Sequence, residues 1–238
     1  MRAAVASLIL TTWLPVAAAA QEPAPAPAPI QDNSFLIEEA YNQETGVVQH
    51  INTLLRARQS WAYSFTQEWP LRGQRHQISF TLPIENGVGD AAINYRHQLV
   101  GIGGGRAAFA PRLSVLLPTG DGGSTGLQVN LPLSVMLARN LVSHWNAGAT
   151  LVRTDVTVYN GGASVIWLAR PTVNLMLEAV WTGTTGGGEW IVNPGLRWAH
   201  NVGSLQIVPG ISFPRGRDVF LYLSFEHPFK STGPAPAP

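Results

Sequence analysis

The stretch Val219-Phe220-Leu221-Tyr222-Leu223-Ser224-Phe225-Glu226-His227-Pro228-Phe229 decides the fold of this chain. Apolar residues recur at every second position and the run ends on Phe229, while Ser224 and Glu226 share the opposite face. A side-chain period of two is that of a β-strand with one apolar face. Such a strand fits a soluble sandwich or, behind an export signal, the closing strand of a bacterial outer-membrane β-barrel.

The N-terminus has the features of an export signal. Arg2 precedes a short apolar region, and Ala18-Ala19-Ala20 has the form of a signal-peptide cleavage site. Pro15 interrupts an apolar run that is already shorter than the ~20 residues of a membrane-spanning helix. We therefore predict a signal peptide at residues 1–20, export to the periplasm, and final residence in the outer membrane of a Gram-negative bacterium.

Composition agrees with a barrel and disfavours other classes. Charged residues make up 12% of the chain, whereas they make up roughly a quarter of a typical soluble domain. Fifteen Lys and Arg against 14 Asp and Glu leave no basic excess that would bind nucleic acid. The chain has no cysteine, so an exported fold cannot rely on disulfides. A closed, hydrogen-bonded sheet supplies the alternative.

Two extensions in which Pro and Ala alternate flank the body of the chain. We predict a linker at 21–32 and an unstructured tail at 230–238. Between them, residues 33–45 place Ile37, Ala40 and Tyr41 at helical spacing. We expect there either a short N-terminal helix, a possible plug or cap of the periplasmic mouth of the barrel, or a plain arm, and both forms remain open.

From residue 46 to residue 229 the side-chain period is two. We count twelve successive runs of about ten residues, the length with which a tilted strand crosses a bilayer. The predicted fold is therefore all-β: a closed antiparallel transmembrane β-barrel of about 12 strands, with ten or fourteen as alternatives. Trp61 and Trp69 stand at opposite ends of one run, and Trp190 and Trp198 at opposite ends of another, where two aromatic belts belong.

The connections between the runs alternate in length, as the barrel predicts. Long extracellular loops on one side and short periplasmic turns on the other are typical of outer-membrane barrels. The expected loops are 118–126, 154–162 and 183–189, and the expected turns are 139–140, 170–172 and 200–203.

Several segments resemble the MetA-pathway of phenol degradation family, a group of bacterial outer-membrane proteins to which a transport role is assigned. The matching segments are Ser34–Glu44, Gly46–His50, Phe65–Pro70, Gly89–Ala91, Asn94–Arg96, Pro111–Ser114 and Leu117–Asp121. The resemblance extends over about residues 34 to 229. It implies a barrel through which small organic molecules pass.

The polar face of the runs is where a pore would meet its solute. Two interpretations of its charged residues remain open, namely an ion-pair network that fills the interior and a filter that selects solutes. The candidate lumen-lining residues are Arg56, Glu68, Asn94, Arg96, Arg112, Asn130, Glu178, Arg197 and Glu226. No cofactor or metal site is expected, because HExxH is absent and the six His are not spaced for a shared ion.

These observations favour a passive channel or transporter over an enzyme. We expect a monomer that lets small, aromatic or hydrophobic solutes cross, with outer-membrane lipids as its other partners and no role for nucleic acid. The first alternative is an outer-membrane lipid hydrolase. Ser143 and His144 point to opposite faces as sequence neighbours and cannot form a dyad on one strand. The second alternative is a structural or interaction barrel without transport.

The last strand also predicts how the barrel is assembled. Its alternation ending at Phe229 resembles the C-terminal signal that the barrel-assembly machinery recognises, although nine residues follow it. We expect Phe229→Ala to lower the fraction of barrel inserted in the outer membrane, whereas deletion of residues 230–238 leaves insertion unchanged. Heat-modifiable gel mobility of membrane fractions measures both variants. Equal insertion of the two would reduce Phe229 to one more apolar residue.

Overall fold

A computed structural model describes residues 33–71, 73–102, 105–120, 123–153 and 155–229. The predicted signal peptide, the Pro/Ala linker and the C-terminal tail lie outside the described residues. Within them, residues 33–46 precede a single antiparallel sheet that closes on itself.

The sheet has twelve strands, as the sequence predicts. Three of them are interrupted once, and a single 3₁₀ turn, Pro214–Gly216, lies between the last two. The strands are β1 Val47–Arg56, β2 Trp61–Leu71, β3 His76–Ile84, β4 Ala91–His97, β5 Ala107–Phe109 with Arg112–Leu117, β6 Gly126–Asn130 with Leu133–Ala138, β7 Leu141–Val152, β8 Val158–Arg170, β9 Val173–Thr184, β10 Gly187–Trp198 with His200–Val202, β11 Leu205–Ser212 and β12 Val219–Pro228.

Pairing between β1 and β12 closes the barrel. The two strands run antiparallel over ten residue pairs, from Val47 opposite Pro228 to Arg56 opposite Val219. A closed sheet has no free edge, so its backbone N–H and C=O groups find partners without water. This confirms the predicted closed antiparallel barrel.

Prolines mark the interruptions in β5 and β6. Pro111 and Pro132 lack the N–H that an internal strand position donates. Their carbonyl oxygens still accept hydrogen bonds, from His97 N–H at 3.1 Å and from Ala110 N–H at 3.3 Å respectively. The ladder therefore continues across both breaks and the barrel stays closed.

The distribution of polarity is the reverse of that in a soluble protein. Large apolar side chains such as Leu177, Trp145 and Trp190 are exposed on the outer surface. Among the buried side chains polar residues dominate, and Arg197, Glu178 and Gln98 are among the largest that are fully buried. Lipid is the solvent that makes this arrangement stable.

The two ends of the barrel differ in their connections. We call the end where β1 begins and β12 ends the N-terminal rim, and the other end the loop rim. Three N-terminal-rim turns have only two residues, at 139–140, 171–172 and 203–204, whereas the loop-rim connection 118–125 has eight.

Two connections depart from the predicted alternation in length. Residues 98–106 form a long connection at the N-terminal rim. The expected long loop at 183–189 is wrong, because β9 continues to Thr184 and β10 begins at Gly187. A Cβ on Gly183 would collide with the carbonyl oxygen of Gly187, so glycine lets the two strands approach to the very tip of the hairpin.

Residues 33–46 form an arm of bends and a turn that contains no helix. Of the two forms that the sequence left open, the structure has the arm. Most of its side chains and backbone are covered, and Ala40 is completely buried. Among the described residues, no helix is long and apolar enough to cross a membrane.

Candidate functional site

The arm lies inside the barrel and circles its inner wall; we call residues 33–44 the luminal segment. At its beginning, Arg197 of β10 donates to the carbonyl oxygen of Asn33 at 2.6 Å. At its end, Gln43 donates through Nε2 to Gln49 of β1, which in turn donates to Glu226 of β12 at 2.7 Å. Between these points the segment passes β9, β8, β7, β6, β4 and β3.

Glu178 of β9 holds the first turn of the luminal segment. Its Oε1 accepts three backbone N–H groups, from Phe35 at 3.0 Å, Leu36 at 2.8 Å and Ile37 at 3.0 Å. Its Oε2 accepts Asn193 Nδ2 at 2.6 Å. Consecutive N–H groups that converge on one anion form a backbone nest. Here the barrel supplies the anion and the segment supplies the nest.

Amide and hydroxyl side chains of the wall take up the next backbone groups. Asn146 of β7 accepts the N–H of Glu38 at 2.8 Å and donates to its carbonyl oxygen at 2.7 Å. Ser134 of β6 accepts the N–H of Ala40 at 2.8 Å. The segment is thus hydrogen-bonded to side chains, which explains why it forms no helix despite its helical spacing.

The backbone of the last part of the segment is also hydrogen-bonded to side chains of the wall. Asn42 N–H donates to Gln98 Oε1 at 3.1 Å, and Gln43 N–H donates to Gln77 Oε1 at 2.7 Å. The Asn42 side chain donates to the carbonyl oxygens of Gln74 at 2.8 Å and Arg75 at 3.0 Å. Wall side chains thus accept seven backbone N–H groups of the segment that would otherwise be buried without partners.

Glu38 carries the charged centre of the site. Its Oε1 accepts Arg96 Nη1 of β4 at 3.2 Å, and its Oε2 lies 2.9 Å from Arg112 Nε of β5. Asn130 Nδ2 of β6 donates to Oε2 at 2.6 Å. Arg96 and Asn130 therefore donate hydrogen bonds to the two oxygens of one carboxylate, and Arg112 of the intervening strand pairs with it as a close cation. Charge-assisted contacts of this kind are about twice as strong as neutral ones.

Two further carboxylates lie beside Arg96. Glu39 Oε1 and Glu68 Oε2 are each 3.9 Å from its guanidinium nitrogens. Burial raises the pKa of the Glu39 carboxyl from its ordinary value of 4.5 to about 7, although the positive charge of Arg96 opposes the rise. Glu39 is therefore close to half protonated at neutral pH.

An apolar patch lies on the other side of the lumen. The Phe35 ring packs against Phe220 and Tyr222 of β12, with ring centroids 5.5 and 5.3 Å apart. Gly195 and Gly210 provide the space for it, since a Cβ on either would come within 2.6 to 2.7 Å of the ring. Interior glycines thus shape a socket for one aromatic side chain of the segment.

A cavity of about 510 Å³ lies between the luminal segment and the loop rim, and we call it the cup. Residues 33–39 form its floor, and the charged residues that line it are Glu38, Glu39, Glu68, Arg96 and Arg112. Part of its wall is the apolar patch with Ile51 and Leu36; the remainder consists mainly of hydroxyl and amide groups, among them Thr53, Ser64, Thr66, Thr81, Gln128 and Thr182.

Below the cup the lumen is filled. Gln98, His144, Glu178 and Asn193 come from different parts of the wall and are all 0% exposed. An open aqueous channel would expose such inward-facing side chains to water. The described residues therefore show a barrel that its own luminal segment closes.

The structure brings most of the predicted site residues together. Glu68, Asn94, Arg96, Arg112 and Asn130 surround the Glu38 carboxylate or contact the groups that hold it. The other interior residues of the prediction meet the segment elsewhere, namely Glu178 at the nest, Arg197 at Asn33, and Glu226 through Gln49.

The prediction for Arg56 is wrong. Successive side chains of β1 point to opposite faces of the sheet. Ile51 and Thr53 face the cup, so Asn52 and Arg56 belong to the outer face. Asn52 accepts a hydrogen bond from Tyr63 OH there at 2.7 Å, and Arg56 is exposed at the end of the strand. Polar and apolar residues mix on both faces of β1, and the sequence pattern could not separate them.

Sequence reasoning missed the role of Glu38 and Glu39. Their position early in a run with helical spacing is typical of a helix N-terminus, which concealed their use as counter-ions. The available signal was the need for interior arginines to find carboxylates at close range. This requirement does not show which carboxylates pair with the interior arginines.

A buried Ser–His pair crosses two strands. Ser134 Oγ of β6 and His144 Nδ1 of β7 share a hydrogen bond of 2.6 Å, and both residues are fully buried beneath the luminal segment. Ser134 Oγ also accepts the Ala40 N–H, so the pair supports the segment. Within the described part of the chain, no group of three or more His, Cys, Asp or Glu is placed to share a metal ion.

Comparison with known proteins identifies the fold. No protein-family model matches the chain, and no curated protein matches it either. Similar solved structures include the KdgM porin, with a TM-score of 0.57 and 8% identity over 77% of this chain and 99% of that one. The NanC porin has a TM-score of 0.54 and 8% identity over 77% of this chain and 100% of that one.

A third similar structure is the COG4313 outer membrane channel from Pseudomonas putida F1. Its TM-score is 0.53, with 11% identity over 80% of this chain and 98% of that one. At such identities the likeness establishes the fold, a barrel of the outer-membrane porin type. The more specific resemblance to the MetA-pathway family is not confirmed.

The Glu178 nest should control whether the segment stays in the lumen. Glu178→Ala leaves three N–H groups without their acceptor, which costs at least about 2 kcal/mol in the closed state. Because the chain has no cysteine, Ala40→Cys introduces one thiol at a buried position. We expect Glu178→Ala to raise the rate of maleimide modification of this thiol by about tenfold or more.

Glu189→Ala is the matched control, because that carboxylate pairs with Arg215 near the loop rim and leaves the segment untouched. Equal modification rates in Glu178→Ala and Glu189→Ala would show that the nest does not hold the segment.

The raised pKa of Glu39 makes the closed state depend on pH. The closed state binds a proton at Glu39 more tightly than a released segment, whose pKa is near 4.5. Stabilisation from this proton is thus present at low pH and is lost as the pH rises through about 7. We expect hydrogen exchange, corrected for intrinsic rates, to report easier opening of residues 35–43 at pH 8 than at pH 5.

Glu39→Gln keeps the shape of the side chain and removes the titrating carboxyl group. It should therefore flatten the pH dependence of hydrogen exchange in residues 35–43. Amides of β8 serve as the internal control. An unchanged pH dependence in Glu39→Gln would assign the effect to another group.

Proposed function

We propose that this protein is a passive outer-membrane channel whose lumen the luminal segment closes and whose opening lets small solutes cross. The observation that carries the proposal is the way the segment is held. Seven of its twelve backbone N–H groups donate to side chains of the wall, and water or a polar solute can take over each of those bonds. A purely structural filling would more simply use apolar contacts or larger side chains of the barrel itself.

The porin-type fold supports this proposal. One of the similar structures is described as the KdgM porin in complex with disordered oligogalacturonate, so that barrel accommodates a solute. In the present chain the twelve strands enclose a polar interior that is wide enough to hold the twelve-residue luminal segment and a 510 Å³ cup. Release of the segment would leave a bore of that width.

The lining of the cup supports small solutes that have an apolar face, including aromatic ones. Phe35, Phe220 and Tyr222 offer flat apolar surfaces, and rings stack on such surfaces in offset or tilted geometry. The opposite wall offers hydroxyl and amide groups for hydrogen bonds. Pockets of roughly 300–1,000 Å³ with this mixture take molecules of the size of a substituted benzene or larger.

The hydrolase alternative is less consistent with the geometry. The Ser134–His144 pair is fully buried under the luminal segment, where a lipid ester cannot reach it. Ser143, the other serine considered, donates its hydroxyl to the carbonyl oxygen of Ser164 at 2.8 Å. A catalytic serine needs its hydroxyl free for a base and a substrate.

We also infer the orientation in the membrane. Both ends of the barrel chain, Val47 and Pro228, lie at the N-terminal rim, which has the short turns. Outer-membrane barrels place such turns in the periplasm. The cup would then open toward the cell exterior, and the luminal segment would leave toward the periplasm.

Reconstitution of the full chain tests the channel. In planar bilayers we expect brief, small openings for the wild type, and an increase of at least about threefold in open probability for Glu178→Ala, since a loss of even 0.7 kcal/mol gives that factor. Glu189→Ala again serves as the control. Bilayers that stay silent with both wild type and Glu178→Ala would overturn the proposal.

Liposome swelling tests the class of solute. Phenylalanine and glutamine have the same charged groups and similar length, and differ in the aromatic ring. We expect faster swelling in phenylalanine than in glutamine for Glu178→Ala liposomes. Equal swelling rates in the two amino acids would be consistent with a channel but would contradict a preference for aromatic solutes.

A further inference from the structure

The Glu38 carboxylate occupies a pocket whose three nitrogen-bearing side chains all belong to the barrel wall. Arg96, Arg112 and Asn130 belong to β4, β5 and β6, and their nitrogens lie 3.2, 2.9 and 2.6 Å from the two carboxylate oxygens. The luminal segment also contacts Arg96, through Asn42 Oδ1 at 2.8 Å and the Glu39 carbonyl oxygen at 3.0 Å, whereas Arg112 is bonded to the wall. The wall therefore presents a ready receptor for one carboxylate group.

Other barrel residues hold the donors in place. Arg112 donates through Nη1 to Asn94 Oδ1 at 3.1 Å and through Nη2 to Gln128 Oε1 at 2.9 Å. Gln128 in turn donates to Thr150 at 2.9 Å, and Asn94 to Ser79 Oγ at 3.1 Å. A binding group whose second contacts are fixed needs little reorganisation when its ligand changes.

The charges of the wall favour an anion in this receptor. Without the luminal segment the wall groups at this point are Arg96, Arg112 and Glu68, which together leave one positive charge uncompensated. Arg96 has only 4% of its side chain exposed. An unpaired charge in such a place is costly, on the order of several kcal/mol. One monovalent carboxylate compensates it.

The receptor can be reached from the cup. Arg112 and Glu38 each keep about a fifth of their side-chain surface exposed, 21% and 20%, and both line the cavity. A solute in the cup therefore meets the guanidinium of Arg112 before the luminal segment moves.

From these observations we propose that Arg96, Arg112 and Asn130 form a binding site for the carboxylate of a small organic acid, and that Glu38 fills this site as an internal substitute for the solute. This inference rests on the proposed channel function and names a solute class for it. A carboxylate solute replaces Glu38, takes over its contacts and weakens the hold of the wall on the luminal segment. The apolar patch of the cup suits the remainder of an aromatic acid.

Chemical rescue tests the site in the full chain in detergent. Glu38→Ala removes the internal carboxylate and leaves a space of its size, so its melting temperature should fall. Sodium acetate should restore part of the loss at constant ionic strength, whereas sodium chloride should not. By saturation-transfer NMR, sodium benzoate should bind Glu38→Ala at least about tenfold more tightly than wild type, and benzyl alcohol should bind both alike.

Two further variants decide the assignment. Adding Arg112→Met to Glu38→Ala should abolish the benzoate gain, because it removes a donor to the carboxylate. Glu39→Ala removes a neighbouring carboxylate that lies beside Arg96 and Asn33 but does not pair with Arg112, and it should show no gain of this size. Equal benzoate affinity in wild type and Glu38→Ala, or a gain that survives Arg112→Met, would overturn the inference.

A final measurement couples binding to opening. In wild type with Ala40→Cys, benzoate should raise the rate of maleimide modification, and benzyl alcohol should not; equal effects of the two would reject the coupling. Conductance without a gain in benzoate affinity would support the channel and reject the carboxylate site. A gain in benzoate affinity without conductance in any variant would support the carboxylate site and reject the channel.

Discussion

Satisfaction of the backbone away from water is the constraint on which this structure depends. In a bilayer each strand must give its N–H and C=O groups to a neighbour, and the β1–β12 pairing completes the circle. Once the sheet is closed, side chains on one face meet lipid and those on the other meet one another. The buried polar interior, unusual for a soluble protein, is a direct consequence of that closure.

The same constraint then acts on the luminal segment inside the barrel. A segment without secondary structure has backbone groups that need partners, and here the wall supplies them from side chains. Glu178 takes three N–H groups, and Asn146 takes both backbone groups of Glu38. Hydrogen bonds of this kind hold the segment firmly while every partner is present, and they are exchangeable for water. This exchangeability is what the proposed opening of the lumen relies on.

The need of buried groups for partners also governs the charged side chains. The interior arginines are too well buried to remain unpaired, and the luminal segment brings the carboxylate that two of them share. Closure of the lumen and neutralisation of the wall are therefore one event. The proposed solute class follows from this link, since a molecule that opens the barrel must neutralise the same charges.

The sequence by itself determined the barrel, its twelve strands and which residues of most strands face inward, because a period of two records the two solvents on each side of a strand. It could not assign the faces of β1, where Arg56 and Asn52 point outward, because polar residues occur on both of its faces. The luminal segment was decided only by the tertiary structure. Its local spacing favours a helix, but the side chains that bind its backbone lie 32 to 164 residues away in the chain. The Ser134–His144 pair and the Glu38 receptor likewise arise from register between strands. Local pattern reports which face a residue occupies, whereas register and closure decide which residues meet across the lumen.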